Sequence, residues 1–190
     1  MDLPVAMLEI RTLGGFSISV EGKPVATVWP DESIQVLFCS LLSPLDLYFT
    51  YDRICRSMLG VPATPTSRKR LDETIIRPLN TFLIHELGFN PLIIGEENMR
   101  IDKHHIQVDA HEFRSTVVEG LRLLSLGDHP AALAKFNRAN SLYVGNYLPG
   151  IHGKIIENTR NDLESLYRTA FMDAIKLQKG SVRSEQRSSN

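Results

Sequence analysis

Apolar positions change their period three times along this chain. In "MLEIRTLGGFSISVEGKPVA" they alternate. Leu8, Ile10 and Thr12 share one side, and Phe16, Ile18 and Val20 another, which predicts two or three short strands. Gly14-Gly15 and Glu21-Gly22 mark turns, and Pro24 ends regular pairing or lies on an edge. The expected product is a small antiparallel sheet.

The period then becomes helical. Ile34, Leu37, Phe38, Leu41 and Leu42 predict a helix capped by Asp31 or Ser33 and stopped by Pro44. "TYDRICRSMLG" predicts a second helix, with Thr50 as cap, Ile54 and Met58 inward and Gly60 at its end. A third is expected from a cap at Thr66 or Ser67 to Gly88. Leu71, Ile75, Leu79, Phe82 and Leu83 form its buried stripe, and Pro78 is expected to kink it. "PLIIGEENMRID" reads as a hairpin turning at Gly95 to Asn98. A sheet, three helices and a terminal hairpin describe a winged helix.

From Val108 onward only helical spacing remains. Asp109 is the expected cap of a helix with Phe113, Val117, Leu121 and Leu124 inward, closed by Gly127. Asp128 caps the next, with Pro130 in its first turn and Ala132, Leu133, Phe136 and Ala139 inward. A long segment over 154–179 buries Ile156, Leu163, Leu166, Tyr167, Ala170 and Ile175. Alanines at close-packing positions suggest tetratricopeptide-like helix pairs. The fold class expected is therefore an α+β winged helix over 1–106, followed by an all-α tetratricopeptide-like domain over 107–180. A polar, disordered tail is expected over 181–190.

Composition adds little. Of 190 residues, 43% are hydrophobic and 23% charged, and the net charge is −1, which favours no polyanionic partner by itself. Residues 1–106 carry 10 Lys/Arg against 13 Asp/Glu, so any nucleic-acid contact must come from a local patch. No apolar run approaches the ~20 residues of a bilayer span, and no signal peptide is evident. Cys39 and Cys55 read as packed, reduced thiols. The expectation is a cytoplasmic protein without membrane contact.

Local patches then decide. Arg70, Thr74, Arg77 and Thr81 recur at i, i+4, i+7 and i+11, opposite the apolar stripe of the third helix. Arg68 and Lys69 stand in its first turn, and Arg100 in the hairpin. Arginine can bridge phosphates or fork onto guanine, and threonine can contact a phosphate or a thymine methyl. Asp72 and Glu73 oppose this by repelling phosphate. The competing reading is an ordinary solvated helix face.

His104, His105, Asp109 and His111 are metal-ligand types, but a strand would splay the first two and Asp109 has its cap role. No metal or cofactor is expected. "LPGIHGK" lacks both ends of a phosphate loop. No Ser/His/Asp, Cys/His or paired-carboxylate spacing suggests an enzyme.

Two stretches carry a resemblance. "LEIRTLGGFSISVEGKPV" is similar to the start of bacterial transcriptional activators of the antibiotic-regulatory-protein type. "VDAHEF" followed by "GDHPAALAKFNRANSLYVGNYLPG" resembles their bacterial transcriptional activator domain, and Tyr143, Gly145, Leu148 and Pro149 match its "Y-x-G-x-x-L-P" turn. Order and spacing agree over residues 8–179. The resemblance implies an OmpR-type winged helix joined to tetratricopeptide-like helices. It also implies promoter DNA as one partner, and a protein or a second copy on the helical domain as another. There are departures. Pro30, Asp31 and Glu32 stand where the family carries basic residues, and the second half of the third helix keeps only Arg77. The family's helical domain is also longer, so a fragment or a shortened member is expected. The alternative is a winged helix that docks proteins and no longer binds DNA.

Overall fold

The computed structural model describes residues 7–25 and 28–188, with side chains as far as residue 180. Strands β1 (Leu8–Arg11), β2 (Ser17–Val20) and β3 (Lys23–Val25) form the expected antiparallel meander. Glu21 and Gly22 make the two-residue turn between β2 and β3, both with positive φ (50° and 75°). Such a turn matches the twist of its flanking strands. Pro24 sits on the edge strand β3, where its missing N–H breaks no ladder.

Helix α1 (Glu32–Leu41) is capped by the Asp31 side chain, and α2 (Tyr51–Met58) by Thr50. The expected hairpin, or wing, is β5 (Leu92–Ile94) and β6 (Asn98–Ile101). A two-residue strand β4 (Phe49–Thr50), not foreseen from the sequence, pairs with β6 and ties the wing to the start of α2. A second unforeseen strand, β7 (Ile106–Val108), joins the N-terminal sheet parallel to β1, giving the order β3-β2-β1-β7. The boundary expected at 106/107 therefore cuts a strand.

The third helix differs most from expectation. Its cap is Thr64, not Thr66 or Ser67. Thr64 and Ser67 form a reciprocal capping box, with Pro65 in the first helical position. It begins as α3 (Pro65–Leu71), passes through a π-turn (Asp72–Ile76) and continues as α4 (Arg77–Leu87), ending at Gly88 with φ 77°. In the π-turn the Arg77 amide donates to the carbonyl of Asp72, five residues back. The Pro78 defect is thus met by a π-turn.

Spacing gives a further reason for this turn. Leu71, Ile75, Leu79, Leu83 and Leu87 are all buried and all four apart. In a 3.6-residue helix each step of four overshoots by about 40°. The inserted residue removes roughly 100° of that accumulated drift and keeps the stripe on the core.

Helices α5 (Asp109–Ser125), α6 (His129–Leu142) and α7 (Lys154–Ser188) complete the chain. Phe113, Val117, Ala132, Phe136, Ala139, Ile156, Leu163 and Ala170 are buried, as expected. Leu121 and Leu133 are only half-buried, and the buried residue near the end of α7 is Ala174 rather than Ile175. Helix α7 extends to Ser188, into the stretch expected as a disordered tail. Residues 189–190 lie outside the described range. One continuous hydrophobic cluster runs through the N-terminal α+β part and the helices α5–α7.

Candidate nucleic-acid interface

Trp29 sets the third helix against the sheet. Its ring packs on Phe16, Phe38 and Phe82, with centroids 6.2, 5.5 and 4.7 Å away. The stripe from Leu71 to Leu87 faces that core, so the polar side of the helix faces solvent. The wing lies alongside its start.

Arg68 fastens these parts together. Its guanidinium donates to the Glu96 carbonyl at the wing tip and stands 3.8 Å from the Glu97 carboxylate. It also lies over the Tyr51 ring, 4.4 Å from the centroid. The Tyr51 hydroxyl donates to the Gly95 carbonyl at 3.2 Å. Arg68 therefore acts first as a strut between helix and wing.

The other expected contacts divide. Lys69 is 3.9 Å from Glu73, and both are exposed, so this pair holds the lysine only loosely. Arg70 is exposed and has no ion-pair partner among the described residues. The Thr74 hydroxyl donates back to the Arg70 carbonyl at 2.8 Å. Arg77 is held by Asp72 at 2.7 Å. The π-turn also moves Arg77 and Thr81 roughly a quarter turn from the line through Arg70 and Thr74, because one inserted residue rotates the C-terminal half of the helix against the first. The single face expected from the spacing is thus broken in two. Thr81 and Arg77 border a shallow hollow floored by Pro30, Pro78 and Phe82.

Arg100 does not join the group. It lines a cleft on the other side of the wing, shared with β1, β7 and α5, to which no third-helix residue contributes. On the helix and wing tip, Arg68, Lys69, Arg70 and Arg77 meet Asp72, Glu73, Glu96 and Glu97, so the face is close to electroneutral.

The metal-type residues are drawn apart. Asp109 is not the cap of α5 but its first residue, and Val108 holds the cap position. The Asp109 carboxylate accepts hydrogen bonds from the Thr12 and Leu13 amides at 2.8 and 3.0 Å and from the Thr12 hydroxyl. His111 Nε2 lies 3.0 Å from the Leu42 carbonyl. Among the described residues no cluster of His, Cys, Asp or Glu is placed to hold a metal. No helix there is long and apolar enough to cross a membrane. Cys39 and Cys55 are free and buried, and burial pushes the Cys39 thiol pKa up.

Geometry also explains the "Y-x-G-x-x-L-P" turn. A Cβ on Gly145 would stand 2.8 Å from the Gly14 Cα, so backbone meets backbone there. The Gly14 amide donates to the Asn146 carbonyl at 2.9 Å, and the Leu148 amide to the Thr12 carbonyl at 2.7 Å. Leu148 is fully buried at φ 44°. The Arg160 guanidinium donates to the carbonyls of Tyr147, Leu148 and Ile151 at 2.7–2.8 Å. Tyr143 stacks on Tyr167, with centroids 4.3 Å apart. The turn thereby docks the helices on the first strand.

Among solved structures, Mycobacterium tuberculosis EmbR, determined in complex with a low-affinity phosphopeptide, is similar to this chain. The two chains share a fold. The TM-score is 0.70 over 95% of this chain, at 14% sequence identity. The match covers 48% of the EmbR chain, so the present chain spans about half of that length. No family model matches the sequence, and no curated protein does.

The residues that sequence reasoning misses are the counter-charges. Asp72 reads as repulsive to phosphate, but its hold on Arg77 depends on the π-turn. Glu96 and Glu97 read as turn residues. Only the wing's fold places them beside Arg68.

Proposed function

We propose that this chain is the DNA-facing and helical part of a transcriptional regulator. In this reading the third helix contacts the duplex weakly, mainly through phosphates. The observation that carries the reading is the solvent-facing start of that helix beside the wing, with Arg70 unpaired and Lys69 only loosely held. The fold shared with EmbR and the resemblance to antibiotic-regulatory-protein activators support the same class. Arg70 and Lys69 are the phosphate contacts. Arg68 positions the wing, and Thr74 and Thr81 flank. Arg77 reaches DNA only by giving up Asp72, and Arg100 contributes no phosphate contact. The helical part binds protein, a second copy or the transcription machinery, and specificity comes from such assembly or from DNA shape.

The test is fluorescence anisotropy of labelled duplexes across a salt series. Two phosphate contacts give a log–log slope of about −1.8. Arg70→Ala should flatten it by about one unit and weaken all sequences alike. Arg77→Ala should change little. Absence of salt-dependent binding at low ionic strength would remove the proposal.

A specific observation favours the second reading, a protein-docking winged helix. The candidate face is nearly electroneutral, and the hollow floored by Pro30, Pro78 and Phe82 is apolar. That reading expects no salt slope at all.

A further inference from the structure

We propose that the cleft between the N-terminal sheet, the base of the wing and the start of α5 is a binding site for a small amphipathic anion. Such a ligand has a carboxylate or phosphate head on an apolar body. The cleft encloses about 710 Å³, within the range of ~300–1,000 Å³ usual for small-molecule pockets.

The charge arrangement carries the argument. Arg11 on β1, Arg100 on β6, Lys103 in the loop after it and Arg114 on α5 converge on this cleft from four segments. None has an acidic partner among the described residues. Most other arginines do: Arg53, Arg56, Arg68, Arg77, Arg122, Arg138 and Arg168 each face a carboxylate, and Arg160 holds three carbonyls. Of the described arginines only Arg11, Arg70, Arg100 and Arg114 are left, and three of these four line one cleft.

The acids in its wall offset them only in part. Asp46 is bound to Arg53 at 2.5 Å and Glu112 to Arg138 at 2.7 Å. Asp109 is held by the uncharged Thr12 and Leu13 and keeps its own charge. Asp109 and Glu9 are thus the two wall carboxylates without a cationic partner among the described residues, against four cations. His111 in the same wall feels both signs: Lys103 and Arg114 add to the burial that lowers its pKa, and Asp109 opposes them. Four cations against two unpaired carboxylates leave the cleft net positive, and an anion relieves their repulsion.

The apolar side is carried by Leu47, which stands at the cleft 74% exposed above the buried Leu42 and Phe49. An alkyl or aromatic body laid there removes Leu47 from water. The head then bridges Arg100 of the wing and Arg114 of α5, linking the two parts of the molecule.

The full chain is titrated with 8-anilinonaphthalene-1-sulfonate, an aromatic body with an anionic head, and with uncharged N-phenyl-1-naphthylamine. Saturable one-site binding of the sulfonate, at least tenfold tighter than the neutral probe, is expected. Decanoate and decyl phosphate serve as competitors, and the stronger of the two identifies the preferred head. Arg100→Gln with Arg114→Gln should weaken the sulfonate at least tenfold, and Arg70→Gln should leave it unchanged. If the double variant fails to fold by circular dichroism, Arg11→Gln and Lys103→Gln take its place, each weakening the probe about threefold. Equal binding of both probes, no saturable site, or unaltered affinity in folded variants overturns the proposal. The cleft includes no third-helix residue, so the outcome is independent of DNA binding.

Discussion

Asp109 and His111 stand two residues apart and show how much a single side chain can carry here. The Asp109 carboxylate satisfies two backbone amides and a hydroxyl of the Thr12–Leu13 turn. Removing it leaves those donors unpaired in a half-buried place. Asp109→Ala should cost about 1.5–3 kcal/mol, the range for hydrogen bonds to a charged group. Urea unfolding measures it, and a change below about 0.5 kcal/mol would show that the turn finds other partners. His111 makes a different prediction. Burial, opposed by its hydrogen bond to Leu42 and aided by Lys103 and Arg114, lowers its pKa below the ordinary histidine value. Well above pH ~6.5 it is neutral in both folded and unfolded chains and contributes no pH dependence. As pH falls below that value the unfolded chain takes up a proton that the folded chain refuses, so stability is lost. Wild type should therefore lose more stability between pH 7.5 and 5.5 than His111→Gln does. Equal losses in the two urea series would rule this out.

At the scale of elements, helix pairing turns on small residues. A Cβ on Gly120 of α5 would sit 2.7 and 2.9 Å from the Phe136 ring of α6. Alanine raises helix propensity by ~1 kcal/mol, but overpacking costs ~1–3 kcal/mol. Phe136 is fully buried between helices and has little room to move. Gly120→Ala should thus destabilise, and Phe136→Ala should cost ~3–5 kcal/mol by leaving a cavity. A stabilised Gly120→Ala in thermal melts would mean that the ring yields. Helices like these are legible because capping residues and periods are local: Asp31, Thr50, Asp128 and Gly127 act where the sequence places them. The third helix is legible in extent but not in face. Pro78 predicts a kink, whereas the π-turn, one residue inserted at Asp72–Ile76, is shown only by the core that the buried stripe packs on. The two missed strands, of two and three residues, owe their existence to partners about 50 and 100 residues away in sequence. Arg100 reads as a wing cation, and only the sheet topology shows which side of the wing it serves.

Over the whole molecule, the seam between the N-terminal α+β part and the helices α5–α7 is built from both sides. Strand β7 leads directly into α5 while pairing with β1. Gly145 lies against Gly14, and Arg160 fixes the turn that reaches Thr12. Farther along, the hydroxyls of Ser43 and Thr159 share a buried hydrogen bond of 2.8 Å between the end of α1 and α7. A Cβ on Gly153 would stand 2.9 Å from Val36 of α1. Few polar groups at this seam could be wetted without breaking hydrogen bonds, so neither part can open alone at low cost. The chain should therefore unfold in one calorimetric transition whose measured enthalpy equals the van't Hoff value. Gly145→Val is the discriminating variant, since it drives a branched side chain into the Gly14 backbone and strikes the seam without touching either interior. It should lower the melting temperature and split the transition, the helical part melting first because it loses its dock. Two transitions in the wild type would show that the parts fold independently and that the seam is only a contact. A Gly145→Val chain that melts as one unit at the wild-type temperature would show that the close approach of the two glycines carries no energy.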